Sequence, residues 1–188
     1  MPDWQEIFSR DGKAVWQTAY RLLGNRADAD DCFQEAFLAA LEVSRREDVR
    51  HWRGLLQRLA AARAVDRLRQ RHRQADRQQT ADWDNLAGHE PAPSQAALDA
   101  ELSERLRAAL GRLPPKQAEV FCLHCLEGWS YQEVASHLAL SIDSVGVLVH
   151  RARKRLRQVL DVHFEVPRAA GCDPASGSGP ISPQKERS

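Results

Sequence analysis

Apolar residues recur every three or four positions along most of the chain, which is the spacing of one face of an α-helix. The pattern is clearest over residues 29–41, and it also predicts helices over 4–23 and from Trp52 onward. A further helix is predicted over 98–113, where two successive prolines end it. No strand pattern and no internal repeat is visible in the sequence. The chain is therefore predicted to be all-α.

Residues 114–157 carry the start and stop signals of a helix-turn-helix. Pro115 stands where a first-turn proline is tolerated, and Ser130 forms a capping box with Glu133. Ser141 can cap the next helix, which leaves room for a helix of about two turns and a tight turn before it. The last helix continues into five cations with no acid among them, Arg151, Arg153, Lys154, Arg155 and Arg157. Such a layout places a second helix in the major groove of DNA.

Glycine and proline divide the chain, because they are sparse except over residues 88–94 and 167–183. With 188 residues and 43% hydrophobic content, the chain can form two small helical cores. We predict two small helical domains joined by a flexible linker. Their expected bounds are 1–75 for the first domain, 76–97 for the linker, 98–161 for the second domain and 162–188 for a tail. The tail is too poor in apolar residues to order itself.

The net charge of +1 hides a segregation of charge along the chain. One segment is rich in acids, and these are Asp28, Asp30, Asp31, Glu35 and Glu42. The next segment is rich in arginines, and these are Arg58, Arg63, Arg67, Arg69, Arg71 and Arg73. Such a division suggests one basic and one anionic partner, the alternative being two ordinary solvated faces.

Candidate catalytic and metal chemistry is weak in this sequence. The four cysteines are Cys32, Cys122, Cys125 and Cys172, and the C-x-x-C pair encloses His124. That pair falls in a predicted helix with no second ligand pair at finger spacing, so buried thiols are favoured over a zinc site. We find no phosphate loop and no nucleophile with an assignable base, and expect no metal, no cofactor and no catalytic residue. Without a leader pattern or a long apolar run, the protein is expected to be cytoplasmic and not inserted in a membrane.

Three stretches resemble a known family. Residues 28–38, Asp-Ala-Asp-Asp-Cys-Phe-Gln-Glu-Ala-Phe-Leu, resemble the D-A-E-D-L-x-Q-E-x-F-L signature of the sigma factors of bacterial RNA polymerase. Residues 52–60 and 64–69 resemble the helix that follows this signature, and residues 113–121 and 150–156 resemble the family's fourth conserved region. Two conserved regions with one short linker are the layout of the extracytoplasmic-function group. The resemblance covers roughly residues 4 to 160.

The resemblance implies a sigma region two helical bundle and a sigma region four helix-turn-helix. It implies that the chain binds the beta-prime and beta subunits of core RNA polymerase, directs it to promoter DNA and assists promoter opening, with an anti-sigma factor as a further candidate partner. The implied grip on the beta-prime coiled coil involves Asp28, Asp31, Gln34 and Glu35. The implied contacts to the minus-ten element are Arg58, Arg63, Arg67, Gln70 and Arg71. Those to the minus-thirty-five element are Ser130, Tyr131, Asp143, Ser144, Val147, His150, Arg151 and Lys154. By analogy, the loop 44–50 would hold an unstacked base.

The sequence also departs from the family pattern. Leu55 and Ala62 stand where relatives commonly have tryptophan and asparagine, and residues 146–148, Gly-Val-Leu, stand where relatives often carry Lys-Ser-Arg. Two interpretations of the last helix stay open: Val147 contacts a thymine methyl, or the helix grips phosphate through His150, Arg151 and Lys154 and reads little sequence. A stand-alone helix-turn-helix regulator would explain only residues 99–160. An anti-sigma-like interaction module is a third class.

Overall fold

A computed structural model describes residues 2–79 and 95–160 of the chain. All regular structure in these two ranges is helical, which confirms the all-α prediction. In chain order the helices are α1 Trp4–Leu23, α2 Arg26–Ser44, α3 Trp52–Gln79, α4 Gln95–Arg112, α5 Pro115–Phe121, a π-helical turn Cys122–Leu126, α6 Tyr131–Leu138 and α7 Ile142–Leu160. Within the described ranges, no helix is long and apolar enough to cross a membrane.

The break between α1 and α2 follows from two residues. Gly24 ends α1 in the left-handed conformation, with φ of 75°, and its N–H donates to the carbonyl of Tyr20. This conformation is readily available to glycine, because it has no Cβ to clash with the backbone. Asn25 then caps α2, since its side-chain oxygen accepts a hydrogen bond from the backbone N–H of Asp28 at 2.8 Å. The two helices are thereby folded back against each other.

The first domain packs α1, α2 and α3 around a core of mostly small residues. Val15, Ala19 and Leu22 of α1 are buried against α3, and α2 contributes a stripe of Ala29, Cys32, Ala36 and Ala40, all fully buried. Small side chains let two helices approach closely, and the Sγ of Cys32 donates to the carbonyl of Ala60 in α3 at 3.3 Å. This close approach brings the acidic edge of α2 alongside the basic edge of α3.

The second domain is built from α4, α5, the π-helical turn, α6 and α7. The predicted capping box is confirmed, because the Ser130 hydroxyl accepts from the backbone of Glu133 and the Glu133 carboxylate accepts from the backbone of Ser130. The Ser130 backbone N–H and, to a smaller extent, the Ser130 hydroxyl donate hydrogen bonds to the Glu133 carboxylate, and these two bonds lower the pKa of Glu133. The predicted cap at Ser141 is also confirmed by a 3.2 Å bond from the N–H of Ser144. Local chemistry therefore sets the helix-turn-helix boundaries.

The π-helical turn was not predicted by the sequence pattern. The N–H of Glu127 bonds to the carbonyl of Cys122 at 3.0 Å, and Gly128 follows in the left-handed region with φ of 77°. Cys122 is fully buried and burial raises the pKa of its thiol, as expected for a core cysteine. Cys125 is only half-buried and lies 3.5 Å from Nη2 of Arg153. In the part of the chain that is described, no group of three His, Cys, Asp or Glu side chains could hold a metal ion.

Both described ends of the predicted linker are helical. Residues 76–79 continue α3, where a linker was expected from residue 76, and α4 begins at Gln95 rather than near Leu98. Ala75, Arg77 and the glutamines that follow are good helix formers and carry no stop signal, which accounts for the extension. The remaining expectations, a flexible segment over 80–94 and a disordered tail over 162–188, fall on residues outside the described ranges.

The two domains contact each other directly. Helix α3 packs against α4 and also touches α5, α6 and the π-helical turn. At Gly111 of α4 the approach is backbone to backbone, because an added Cβ would lie 2.9 Å from the carbonyl oxygen of Leu68. A Cβ cannot be tolerated at that distance from a backbone atom without a shift of one helix. The glycine therefore sets how closely α4 packs on α3.

Candidate functional site

Three carboxylates of α2 converge on one arginine of α3. Nη1 of Arg67 lies 3.1 Å from Oδ1 of Asp28 and 3.3 Å from Oδ2 of Asp31, and Nη2 lies 2.6 Å from Oε1 of Glu35. Arg71, one turn further along α3, forms an ion pair with Asp28. We call these five residues the acid–arginine cluster. It joins three of the four residues predicted for polymerase binding to two of those predicted for the minus-ten element.

The members of the cluster differ in exposure. The side chain of Arg67 is 22% exposed and that of Asp28 is 29% exposed, whereas Glu35 is 45% and Asp31 is 64% exposed. Partial burial lowers the pKa of Arg67, but the hydrogen bonds and negative charges of Glu35 and Asp31 outweigh it and raise the pKa overall. The guanidinium is therefore firmly charged. Arg71 also donates to the carbonyl of Leu23 at 3.3 Å, at the end of α1.

The other residues predicted for the first domain occupy three different settings. Gln34 is exposed on α2, beside the cluster, and Arg63 and Gln70 are exposed on α3. Within the described ranges, Arg63 forms no ion pair. Arg58 instead is half-buried and faces His137 of the second domain, where its charge helps to lower the pKa of that histidine after the larger effect of burial. The predicted minus-ten set is thus divided between an outward face, the cluster and the domain interface.

The positions where the chain departs from the family pattern are also placed by the structure. Leu55 is buried in the first domain and Ala62 is half-buried, so neither presents a large surface to a ligand. The loop 45–51 that precedes α3 is largely exposed, in agreement with the predicted polar loop. Its predicted role as a base pocket remains a prediction.

Helix α7 presents a continuous outward face. Val145, Val149 and Ala152 are buried as the periodicity predicted, and the residues predicted for the minus-thirty-five element that are exposed on this helix are Asp143, Ser144, Val147, His150, Arg151 and Lys154. Val147 is 48% exposed. Leu148 is half-buried against the core, and a Cβ at Gly146 would meet only the ring of Tyr131, at 3.6 Å. Of residues 146–148, Val147 alone therefore offers an exposed side chain.

Ser130 and Tyr131 have structural partners at the start of α6. The Ser130 hydroxyl also lies 2.8 Å from the Glu133 carboxylate, within the capping box. Tyr131 is half-buried, and its ring stands edge-on to the ring of His124 with centroids 4.6 Å apart. Both residues lie beside the N-terminal end of α6, where backbone N–H groups favour an anion.

Sequence reasoning missed the central polar residue of the domain interface. Glu127 follows the π-helical turn, and its side chain is only 4% exposed. It accepts hydrogen bonds from Thr18 at 2.8 Å, Arg21 at 3.1 Å and Gln57 at 3.3 Å, all in the first domain. A lone glutamate before a glycine carries no sequence signal for such a role, because the nearest of its donors in the chain is 70 positions away.

Comparison with known proteins identifies the family. Residues 7–74 match Sigma-70 region 2, and residues 103–156 match Sigma-70, region 4. The ECF RNA polymerase sigma factor SigE of Mycolicibacterium smegmatis is 32% identical over 163 residues, which are 87% of this chain and 63% of SigE. The RNA polymerase sigma factor CarQ of Myxococcus xanthus is 31% identical over 169 residues, which are 87% of this chain and 93% of CarQ. The chain belongs to the ECF group of RNA polymerase sigma factors.

Solved structures of sigma factors share the fold. CnrH, solved in complex with the cytosolic domain of CnrY, has a TM-score of 0.53 and 26% identity, over 84% of this chain and 86% of CnrH. RpoE, solved with the anti-sigma factor NepR from Bartonella quintana, has a TM-score of 0.52 over 87% of this chain and 99% of that one. At 20% identity the second likeness shows the fold alone. The two matched regions of this sigma factor correspond to its first and second domains.

Proposed function

We propose that this ECF sigma factor binds core RNA polymerase through its first domain, directs it to specific promoters and assists promoter opening. The observation that carries this proposal is the exposed edge of α2, where Asp31, Gln34 and Glu35 lie side by side in a domain that matches Sigma-70 region 2. A row of carboxylates beside an amide suits a basic protein surface, because charged pairs steer association and fix register. The beta-prime coiled coil is the proposed partner, and Asp28 supports this edge from within the cluster.

The proposed minus-ten contacts lie on α3. Arg63 and Gln70 project from its outward face, where a guanidinium can bind a phosphate and an amide can bond to a base or sugar. Arg71 is partly exposed beside them, whereas Arg58 and Arg67, which the family resemblance adds to this set, occupy more enclosed positions. Positive charge along one helix face favours a single strand whose phosphates it can follow.

The proposed minus-thirty-five contacts lie on α7 and the start of α6. His150 and Arg151 share one turn of the exposed face and Lys154 lies on the next, which suits binding to the phosphate backbone. Asp143, Ser144 and Val147 lie nearer the N-terminal end of α7, the part of a recognition helix that meets base edges. Ser130 and Tyr131 would meet phosphate at the start of α6. This arrangement supports a helix with many backbone anchors and few groups that read bases.

We further propose that the chain works by binding rather than by catalysis, and that it acts in the cytoplasm, where core polymerase and promoter DNA are found. The beta subunit is a second proposed polymerase contact, made by the second domain. An anti-sigma factor is a proposed regulatory partner, because the family resemblance implies one and CnrH, at 26% identity, is solved in complex with the cytosolic domain of CnrY.

Reconstituted transcription tests the proposed function. The purified chain is mixed with core polymerase and a pool of genomic promoter fragments, and the transcripts are sequenced. Transcripts that start at a common sequence and require the chain are the expected result. If the chain binds DNA as a dimer and never binds core polymerase, it is a stand-alone helix-turn-helix regulator and the proposal is wrong.

A further inference from the structure

We propose that Arg67 is a positioning residue for polymerase binding, which holds the carboxylates of α2 in place instead of contacting promoter phosphate. This inference rests on the proposed function of the α2 edge, and it revises the role that family resemblance gives to Arg67. It is drawn from the acid–arginine cluster, in which one side chain bridges three carboxylates.

The bridge leaves one oxygen of Asp31 and one oxygen of Glu35 outside their contacts with Arg67, whereas the second oxygen of Asp28 pairs with Arg71. The guanidinium bonds to Oδ1 of Asp28, Oδ2 of Asp31 and Oε1 of Glu35, so the second oxygen of each group is not part of these contacts. An ionised carboxylate can accept bonds at both oxygens, and Asp31 and Glu35 remain about half exposed or more. A partner cation can therefore bind the outer oxygens while Arg67 keeps the inner ones.

Without the arginine, the three carboxylates would repel one another. Positions 28, 31 and 35 are separated by steps of three and four, so the acids lie along one face of α2. Like charges at this spacing disfavour a shared orientation, and their side chains would spread into solvent. Arg67 offsets this repulsion and fixes the spacing of the two outer groups before any partner arrives.

The inner end of the cluster is fixed more firmly than the outer end. Asp28 is held by Arg67 and by Arg71, and Arg71 is itself bonded to the carbonyl of Leu23. Arg67 is therefore held most firmly at its contact with Asp28, the least exposed of the three carboxylates. Asp31 and Glu35 are then the groups that meet the polymerase, and Asp28 belongs to their support.

Arg63 provides the contrast on the same helix. It lies one turn before Arg67, is exposed, and among the described residues forms no ion pair. A phosphate can reach Arg63 without disturbing any bond in the structure. To reach Arg67, it would have to displace three charge-assisted hydrogen bonds from a side chain that is 22% exposed. The two arginines therefore have different roles despite lying on one arc.

Removal of Arg67 has a distinctive kinetic consequence. The edge of α2 becomes more negative, so attraction to a basic partner rises and the association rate does not fall. The carboxylates, however, must now be ordered when the complex forms, and this cost appears in the stability of the complex. We expect the dissociation rate of Arg67→Ala from core polymerase to rise on the order of tenfold.

The experiment measures association and dissociation rates of the full chain on immobilised core polymerase for Arg67→Ala, with Arg63→Ala as the matched control. Faster dissociation without slower association is expected for Arg67→Ala, and unchanged rates for Arg63→Ala. Promoter binding is then measured at several salt concentrations, with enough of the chain present to occupy all core polymerase, and here the opposite pattern is expected. The slope of log binding constant against log salt concentration should become smaller in magnitude by about one unit for Arg63→Ala and stay unchanged for Arg67→Ala.

A double-mutant cycle with Glu35→Gln separates positioning from general destabilisation. If Arg67 acts through Glu35, the effects of Arg67→Ala and Glu35→Gln on the dissociation rate are not additive. Arg67→Gln, which keeps a neutral NH2 donor group, replaces Arg67→Ala if circular dichroism shows that the alanine variant is unfolded. Unchanged dissociation, strict additivity or a salt slope lowered by one for Arg67 would each overturn the inference. Failure of the unaltered chain to bind core polymerase would instead overturn the proposed function.

Discussion

The hydroxyl of Thr18 in α1 donates a 2.8 Å hydrogen bond to the carboxylate of Glu127, a residue 109 positions later in the chain. The bond joins the first domain to the turn that precedes α6. Because Glu127 is nearly fully enclosed and also accepts from Gln57, its carboxylate satisfies polar groups on the other side of the interface. The two domains therefore meet through polar as well as apolar contacts.

Glu127→Ala should lower the free energy of unfolding by about 1–3 kcal/mol, because Gln57 loses its acceptor in an enclosed site and Thr18 is left with the carbonyl of Ala14 alone. Glu127→Gln keeps one acceptor oxygen and should cost less. Denaturant unfolding followed by circular dichroism measures both. The control is Glu104→Ala, since that side chain is 70% exposed and its loss should change stability by no more than about 0.5 kcal/mol. Equal losses of stability for Glu104→Ala and Glu127→Ala would contradict the stabilising role of Glu127 at the domain interface.

Gln34→Ala should weaken binding to core polymerase while leaving helicity and melting temperature nearly unchanged, because Gln34 is exposed and lies outside the cluster. Glu42→Ala is the matched control on the same helix, because Glu42 is also exposed but is not part of the predicted set. Affinity is measured by fluorescence anisotropy of the labelled chain. A loss of affinity for Glu42→Ala as large as that for Gln34→Ala would place the polymerase edge elsewhere on α2.

Base discrimination in the upstream promoter element should be weak. Each base pair is randomised in turn and transcription is measured, and we expect penalties below the roughly 1–3 kcal/mol of a good bidentate contact. The reason is that Val147 is the exposed side chain among residues 146–148 and cannot form hydrogen bonds. Strong discrimination at several positions that is lost in Val147→Ser would show instead that α7 reads sequence through apolar contact.

Lys154→Ala should reduce promoter affinity equally for all upstream sequences and lower the log–log salt slope by about one. Lys154 is exposed on the anchor face of α7, where a contact to phosphate carries no base information. Gln158→Ala, one turn later and also exposed, is a neutral control. A change of sequence preference in Lys154→Ala would mean that this side chain reaches a base.

The stability of the chain should fall in mild acid, in part because of His137. Burial lowers the pKa of His137 in the folded state, with smaller contributions from Arg58 and His51, while Glu133 opposes the shift. A histidine with a lowered folded pKa contributes stability that is complete above its unfolded value of about 6.5. That stability is lost as pH falls through the folded pKa, because the unfolded chain binds the proton first. Between pH 7.5 and 5.5, the melting temperature of His137→Gln should therefore decline less than that of the unaltered chain. An equal decline in both proteins would exclude protonation of His137 as a cause.

Local sequence signals predicted the helices well, because each signal is satisfied within one or two turns. Asn25 and Ser130 bond to backbone groups three residues away, and the burial of Val145 and Val149 follows from periodicity alone. The π-helical turn could not be predicted in this way. It continues the apolar pattern of α5, and only the bond from the N–H of Glu127 to the carbonyl of Cys122 distinguishes it.

The candidate site was predictable as two helix faces but not as a network. Spacing placed Arg63 and Arg67 on one arc of α3, and both were expected to meet DNA. Which of them faces α2 depends on how closely the two helices approach, and that is set by the alanines and Cys32 of α2. The packing of α2 on α3 therefore determines which arginine meets the carboxylates. This cannot be read from the position of either arginine in the sequence.

The missing side chain at Gly111 has a consequence for the length of DNA that one chain can span. The labels minus-ten and minus-thirty-five place the two promoter elements about 25 base pairs apart. This is about 85 Å along the duplex at about 3.4 Å per base pair. A compact unit the size of the described part of the chain, residues 2–79 and 95–160, has a radius of gyration of only about 15 Å. If one chain is to hold both elements at the same time, α4 must leave α3 at the contact between Gly111 and Leu68. The free energy of that contact then opposes promoter binding. A larger residue at position 111 would weaken the contact, so the two domains would separate more easily and the free protein would be less stable.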